Sequence, residues 1–149
     1  MKRHLDRWLF IALLGSATLL ITATAAIGTT RKSVTLNLHG GKTQKLASCH
    51  QTHKHVYHAY RVHTSASMDG YVIPAPALPN GSWRVKIKFK QCKRGHFVTV
   101  SEVHVKGGKG GHFSYARSLG VSGFFFARAY YYGYTPSAVS KDAYFDVTR

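Results

Sequence analysis

The sequence predicts an all-β chain, an antiparallel sandwich of about seven to eight strands behind an N-terminal apolar helix. Three observations carry that reading. Short runs rich in apolar residues recur between Gly, Pro and Asn turns. Beyond the first 28 residues no run spaces its apolar residues at a helical period. One run, Trp83-Arg84-Val85-Lys86-Ile87-Lys88-Phe89-Lys90, is written in strict period two. Side chains alternate across a strand, so Trp83, Val85, Ile87 and Phe89 face a core. Arg84, Lys86, Lys88 and Lys90 then form an outward ladder of cations with steps of about 7 Å. A small closed barrel is the alternative arrangement of the same strands.

The elements follow in order. Lys2, Arg3 and Arg7 precede an uncharged run, 9–28, in which Ala23-Thr24-Ala25 supplies the small-x-small pattern of a signal-peptidase site. Twenty helical residues span about 30 Å, so the same run is long enough to remain as an anchor. Residues 1–26 are therefore read as a signal peptide, cut at Ala25 or Ala26, or as an uncleaved anchor through 9–28. Both readings put the domain outside, secreted or at the cell surface. Residues 27–48 are read as an extension with one short strand, Val34-Thr35-Leu36-Asn37-Leu38, ended by His39-Gly40-Gly41.

Residues 49–149 are read as the sandwich. Strands are expected at 55–62 and at Tyr71-Val72-Ile73, halted by Pro74, Pro76 and Pro79. The cationic run follows the Asn80-Gly81 turn, and Lys93-Arg94-Gly95 turns the chain into 97–105. Further strands are expected at 112–117, 123–132 and 143–148. A phase slip between Val100 and Val103 predicts a bulge near Ser101-Glu102, and Gly107-Gly108-Lys109-Gly110-Gly111 predicts a flexible loop.

Charge narrows the partners. The chain has 21 Lys+Arg against 5 Asp+Glu, a formal +16; without Lys2, Arg3, Arg7 and Asp6 the balance is 18 against 4, or +14. A field of that sign favours polyanions. Because the domain is read as exported and has no aromatic nucleic-acid motif, an anionic envelope polymer is expected rather than nucleic acid. The residues expected to bind it are Arg84, Lys86, Lys88, Lys90, Lys93 and Arg94, with Lys106 and Lys109 near the return. The competing reading is that lysines on an edge strand only prevent edge-to-edge pairing. Two cysteines, Cys49 and Cys92, are an even pair outside the cytosol and are expected to be bridged. A membrane contact is expected only through the N-terminal segment, where it is uncleaved.

Five segments carry a resemblance: Gly70-Tyr71-Val72-Ile73-Pro74, Trp83-Arg84-Val85-Lys86-Ile87, Gly95-His96-Phe97-Val98-Thr99-Val100, Gly111-His112-Phe113-Ser114 and Gly123-Phe124-Phe125-Phe126-Ala127-Arg128-Ala129. In this order they resemble the strands of bacterial immunoglobulin-like domains, in particular those of small exported proteins of high-GC Gram-positive bacteria. The resemblance covers residues 49–149. It implies an Ig-like sandwich acting as a structural or adhesive module, with no catalytic residues to carry over. The chain departs from antibody domains in lacking their Cys…Trp…Cys order, since Trp83 lies nine residues before Cys92.

Other chemistry is thinly supplied. His50, His53, His55, His58 and His63 crowd one stretch. No metal site is expected there; the residues that would form one are His53, His55 and His58, and otherwise the stretch tunes charge between about pH 5 and 7. Gly41-Lys42-Thr43 lacks the upstream glycine of a phosphate loop, Leu36 standing in its place. Gly120-Val121-Ser122-Gly123 ends in Phe124 where a nucleophile elbow needs glycine. Asp69, Glu102, Asp142 and Asp146 are scattered, so neither an enzyme nor a cofactor is expected; a small secreted hydrolase is the distant alternative. The tyrosines Tyr130, Tyr131, Tyr132 and Tyr134 offer a second surface, for sugar or a protein partner.

Overall fold

In the computed structural model, which describes residues 31–47, 49, 55–132 and 137–149, the expected runs become strands. They are β1 (Ser33–Val34), β2 (Asn37–His39), β3 (Lys42–Ala47), β4 (His55–Arg61), β5 (Ser65–Ile73), β6 (Arg84–Lys93), β7 (His96–Lys106), β8 (His112–Ser118), β9 (Gly123–Tyr131), β10 (Ala138–Val139) and β11 (Ala143–Thr148). Eight of these have six residues or more, and three are short pieces. The leader, with the helix expected in it, lies outside the described residues.

The strands form two sheets. In the smaller, β5 pairs with β8 along one edge and with both β1 and β2 along the other. The larger runs β3-β4-β11-β9-β6-β7, with β10 also on β9. Pairing is antiparallel except between β4 and β11, which run parallel. Periodicity reveals which face a strand buries and not which way its neighbour runs, so the wholly antiparallel expectation is corrected here. The inner faces meet in one core. Val34, Leu38, Met68, Val72 and Phe113 come from the small sheet; Val85, Ile87, Phe89, Phe125 and Phe145 come from the large one. The alternation of β6 is fully realised, for Trp83, Val85, Ile87 and Phe89 are at most 3% exposed. Burial of such a side chain is worth about 1.5–3 kcal/mol, which fixes the register of the strand against a one-residue slip.

Three details correct the sequence reading. The described residues 31–47 hold three strands rather than one, and Val34 and Leu38 among them belong to the core. The bulge sits one residue earlier than expected: Phe89 pairs with Ser101 and Lys90 with Thr99, leaving Val100 unpaired. The glycine loop is built for close approach. Its Lys109–Gly111 segment is a 3-10 turn, Gly111 is buried against the Val72 carbonyl, and a Cβ on Gly107 would overlap the indole of Trp83. Arg94 and Gly95 both have positive φ, as the two-residue primed turn joining β6 to β7 requires.

Candidate polyanion-binding face

β6 is an interior strand, hydrogen-bonded to β7 on one side and β9 on the other. Its lysines therefore do not guard an open edge. The period that buries Val85, Ile87 and Phe89 turns Arg84, Lys86, Lys88, Lys90 and Cys92 to the outer face. Register decides their neighbours. From β7, Lys106, His104 and Glu102 stand opposite Arg84, Lys86 and Lys88. From β9, Tyr130, Arg128 and Phe126 stand opposite Lys86, Lys88 and Lys90.

The ladder is not a row of free ammonium groups. Glu102 is shared, one carboxylate oxygen 3.5 Å from Lys86 Nζ and the other 3.1 Å from Lys88 Nζ. The hydrogen bond from Lys88 holds the Glu102 carboxyl below its usual range, and Glu102 raises Lys88 in turn. Each ammonium also lies over a ring: Lys86 is 5.0 Å from the centroid of Tyr132, Lys88 5.4 Å from Tyr130 and Lys90 5.7 Å from Phe126. Such contacts are worth about 0.5–1 kcal/mol each at exposed sites. They lay the lysine stems along the sheet and set the spacing of the charges. The Tyr130 and Tyr132 rings are parallel, 5.9 Å apart, and Tyr132 is 51% exposed.

Arg128 is committed elsewhere. Its Nε and Nη2 donate to the two oxygens of Asp142, the second at 2.8 Å, and its guanidinium covers Phe126. Tyr144 donates to the same carboxylate at 3.2 Å; burial first, and that neighbouring charge second, push its hydroxyl up to about 12. On β6, β7 and β9 the outer face thus sets Arg84, Lys86, Lys88, Lys90, Lys106 and Arg128 against Glu102 and the Asp142 paired with Arg128, a net of +4 for that part of the face.

The face has two halves. Beside the open tyrosines, a second small core gathers Phe97, Phe124, Phe126, Tyr57 and Tyr144, with Phe97 4.7 Å from Phe126 and Tyr57 5.6 Å from Phe124. Phe126 is buried although it lies on the outer side of the sheet. Cys49 and Cys92 are bridged at this end of the ladder, with Cys49 buried.

Other expected site residues disperse. Lys93 leaves the ladder: strand parity points it with Gln91 to a cavity between the sheets, and Arg94 sits at the tip of the turn. His53 and the side chain of His55 lie outside the described residues. His58 Nδ1 lies 2.9 Å from the Gly40 carbonyl oxygen. On the far sheet, Asp69 lies 2.9 Å from His39 Nε2, whose hydrogen bond holds its carboxyl below the usual range. Burial pushes Asp146 up. Sequence reasoning missed Glu102 as a counterion and the sharing of one face by lysines and tyrosines. The parity of Phe126, Arg128, Tyr130 and Tyr132 carried half of that signal; the register between strands carried the rest.

No protein-family model matches the chain, and no curated protein matches it. Among solved structures it is similar to a superoxide reductase (neelaredoxin) from Ignicoccus hospitalis, at 15% identity and a TM-score of 0.42, covering 83% of this chain and 86% of that one. It is also similar to a CARDB domain from Pyrococcus furiosus, in complex with di-metal ions, at 9% identity and a TM-score of 0.39, covering 78% and 89%. The expectation that the chain is not an enzyme is withdrawn on the first of these. That structure is of an enzyme.

Proposed function

We propose that the chain is an exported immunoglobulin-like module that holds an anionic envelope polymer against the outer face of β6, β7 and β9. Arg84, Lys86, Lys88, Lys90 and Lys106 supply the charge, and Tyr130 and Tyr132 supply flat surface for sugar or polyol units. The single observation that carries the reading is the placement of three ladder ammoniums over aromatic rings on an interior strand. Edge protection has no use for them there, and solvation alone does not need them ordered. The Cys49–Cys92 bridge fits an oxidising compartment. Individual exposed contacts are worth a few tenths to about 1 kcal/mol, so several must act together.

The test replaces Lys86, Lys88 and Lys90 with Gln and measures retention on a teichoic-acid-like polymer. Parent binding should fall steeply with salt as the Debye length shrinks from about 10 Å at 0.1 M to about 3 Å at 1 M. The triple variant should lose most of its binding at low salt; equal retention would reduce the ladder to solvated surface. The stacked tyrosine pair favours a second reading, adhesion to a neutral glycan or a protein. Binding that ignores salt and is lost on replacing Tyr130 and Tyr132 with Ala would select it.

A further inference from the structure

The two sheets part at the end of the sandwich where β6 turns into β7, leaving a cavity of about 290 Å³. Its walls are core side chains, Phe89, Phe125, Phe145 and Leu119, each at most 8% exposed. The bulge at Val100 bends β7 at this point, and Val100 itself lines the opening. The only charged groups among the described lining residues are Arg117 and Lys93. No carboxylate among the described residues pairs with either one. Arg117 is held in place instead by a cation–π contact, its guanidinium 4.9 Å from the centroid of the Phe89 ring.

We infer that this cavity takes the tail of a single-chain anionic amphiphile, of the class of a medium-chain fatty carboxylate. A largely apolar chamber with a few convergent polar groups, here Arg117 and Lys93 with Gln91 and Ser118, is the usual form of a small-molecule site, and this one lies near the lower end of the size range, about 300 Å³. A void of that volume equals about ten waters at ~30 Å³ each, room for a chain of roughly eight to ten carbons. Water gains little among three phenylalanine rings, whereas methylenes gain about 0.8 kcal/mol each on burial. The head group is fixed by charge: Arg117 offers a planar fork of donors that a carboxylate meets with two parallel hydrogen bonds. Lys93 adds a second cation and no lining group opposes either. The site is separate from the basic outer face, because β6 points Lys93 and the ladder lysines to opposite sides.

The purified full chain would be titrated calorimetrically with sodium decanoate, decanol and inorganic phosphate. Decanoate should bind with 1:1 stoichiometry, decanol about tenfold more weakly because the charge-assisted bond is missing, and phosphate not measurably. Arg117→Gln should weaken decanoate about tenfold and leave decanol unchanged, and Arg117→Lys should recover part of the loss. Gly120→Phe, at a lining position where a Cβ meets open space, should weaken both ligands with unchanged circular dichroism. Equal decanoate binding by parent and Arg117→Gln would overturn the assignment. So would loss of decanoate binding in the Lys86, Lys88, Lys90 variant, which would put the ligand on the outer face. Binding to anionic phospholipid vesicles without any to dissolved decanoate would overturn it in favour of a membrane surface.

Discussion

Glu102 stands between two rungs of the ladder, and its removal separates a binding face from a merely charged one. In the parent it neutralises part of Lys86 and Lys88, 3.5 and 3.1 Å away. A phosphate or carboxylate hydrogen-bonded to either lysine would sit about 6.5 Å from Glu102, one ion-pair length and one charge-assisted hydrogen bond along the line. Two like charges at that distance, in a medium as polar as water, weaken binding about threefold. Screening at 0.1 M salt, with a Debye length of about 10 Å, halves that repulsion and leaves about a 1.7-fold effect per ligand charge. With one ligand charge on each lysine, Glu102→Gln should tighten binding about threefold at 0.1 M salt, and about fivefold at 0.01 M, where the Debye length is about 30 Å. The amide can still accept a hydrogen bond from Lys88, so the side chains stay in place, and loss of so exposed a pair leaves stability close to that of the parent. Fluorescence anisotropy with a labelled anionic polymer at both salt concentrations reads the effect directly. An affinity that stays level or falls at both would refute the reasoning, because a ligand seated on Lys86 and Lys88 must feel that carboxylate.

Three further outcomes follow from particular contacts. Gly107→Ala should destabilise the fold by about 1–3 kcal/mol, since the added methyl overlaps Trp83 in a filled core; an unchanged urea midpoint would contradict that packing. Replacing Cys49 and Cys92 with Ser opens a crosslink that spans 43 residues of sequence and should cost up to about 4 kcal/mol by loop entropy, read as a fall in urea midpoint. Asp69 is held below its usual range mainly by the hydrogen bond to His39. Its contribution to stability is therefore present above the unfolded value, about 3.9, and is lost as pH falls through the lower folded value. Thermal midpoints measured from pH 5 down to 2 should drop less steeply for Asp69→Asn than for the parent.

How much of this was legible depends on what burial imposes locally. The run from Trp83 to Phe89 announces itself because one face of β6 must be dry, and β8, β9 and β11 are found within a residue or two of their expected ends. β1 and β2 read as one strand in the sequence, since pieces of two and three residues carry no period. Their break is forced from outside: Gly70 lets the Thr35 carbonyl come close enough that any Cβ would collide with it. Nearness in sequence groups Lys93 with the ladder, although the same period two that sends Lys86, Lys88 and Lys90 outward sends Lys93 to the other side. Glu102 could not be assigned a partner, because its register depends on the unpaired Val100, and a bulge misplaced by one residue moves every later neighbour.

The division of the outer face explains why its open half is suited to contact. A lysine side chain carries about 2 kcal/mol of rotamer entropy, and a ligand that must still a free one meets that cost on binding. Here the rings of Tyr132, Tyr130 and Phe126 have already laid three stems along the sheet, so part of the ordering is complete in the free protein. The rings in turn are held from the other half: Phe126 is packed by Phe97, Tyr144 and the Arg128–Asp142 pair. Cys92, two residues beyond Lys90 on the same face, is tied to Cys49 across that cluster. A crosslinked aromatic patch at one end thus steadies a cationic row whose other end, Arg84 with Lys106 opposite and Lys86 over Tyr132, stays open to solvent. One half of the sheet face is packed and the other open, so under the proposed function a polymer laid along the ladder would meet its most accessible charges at the Arg84 end.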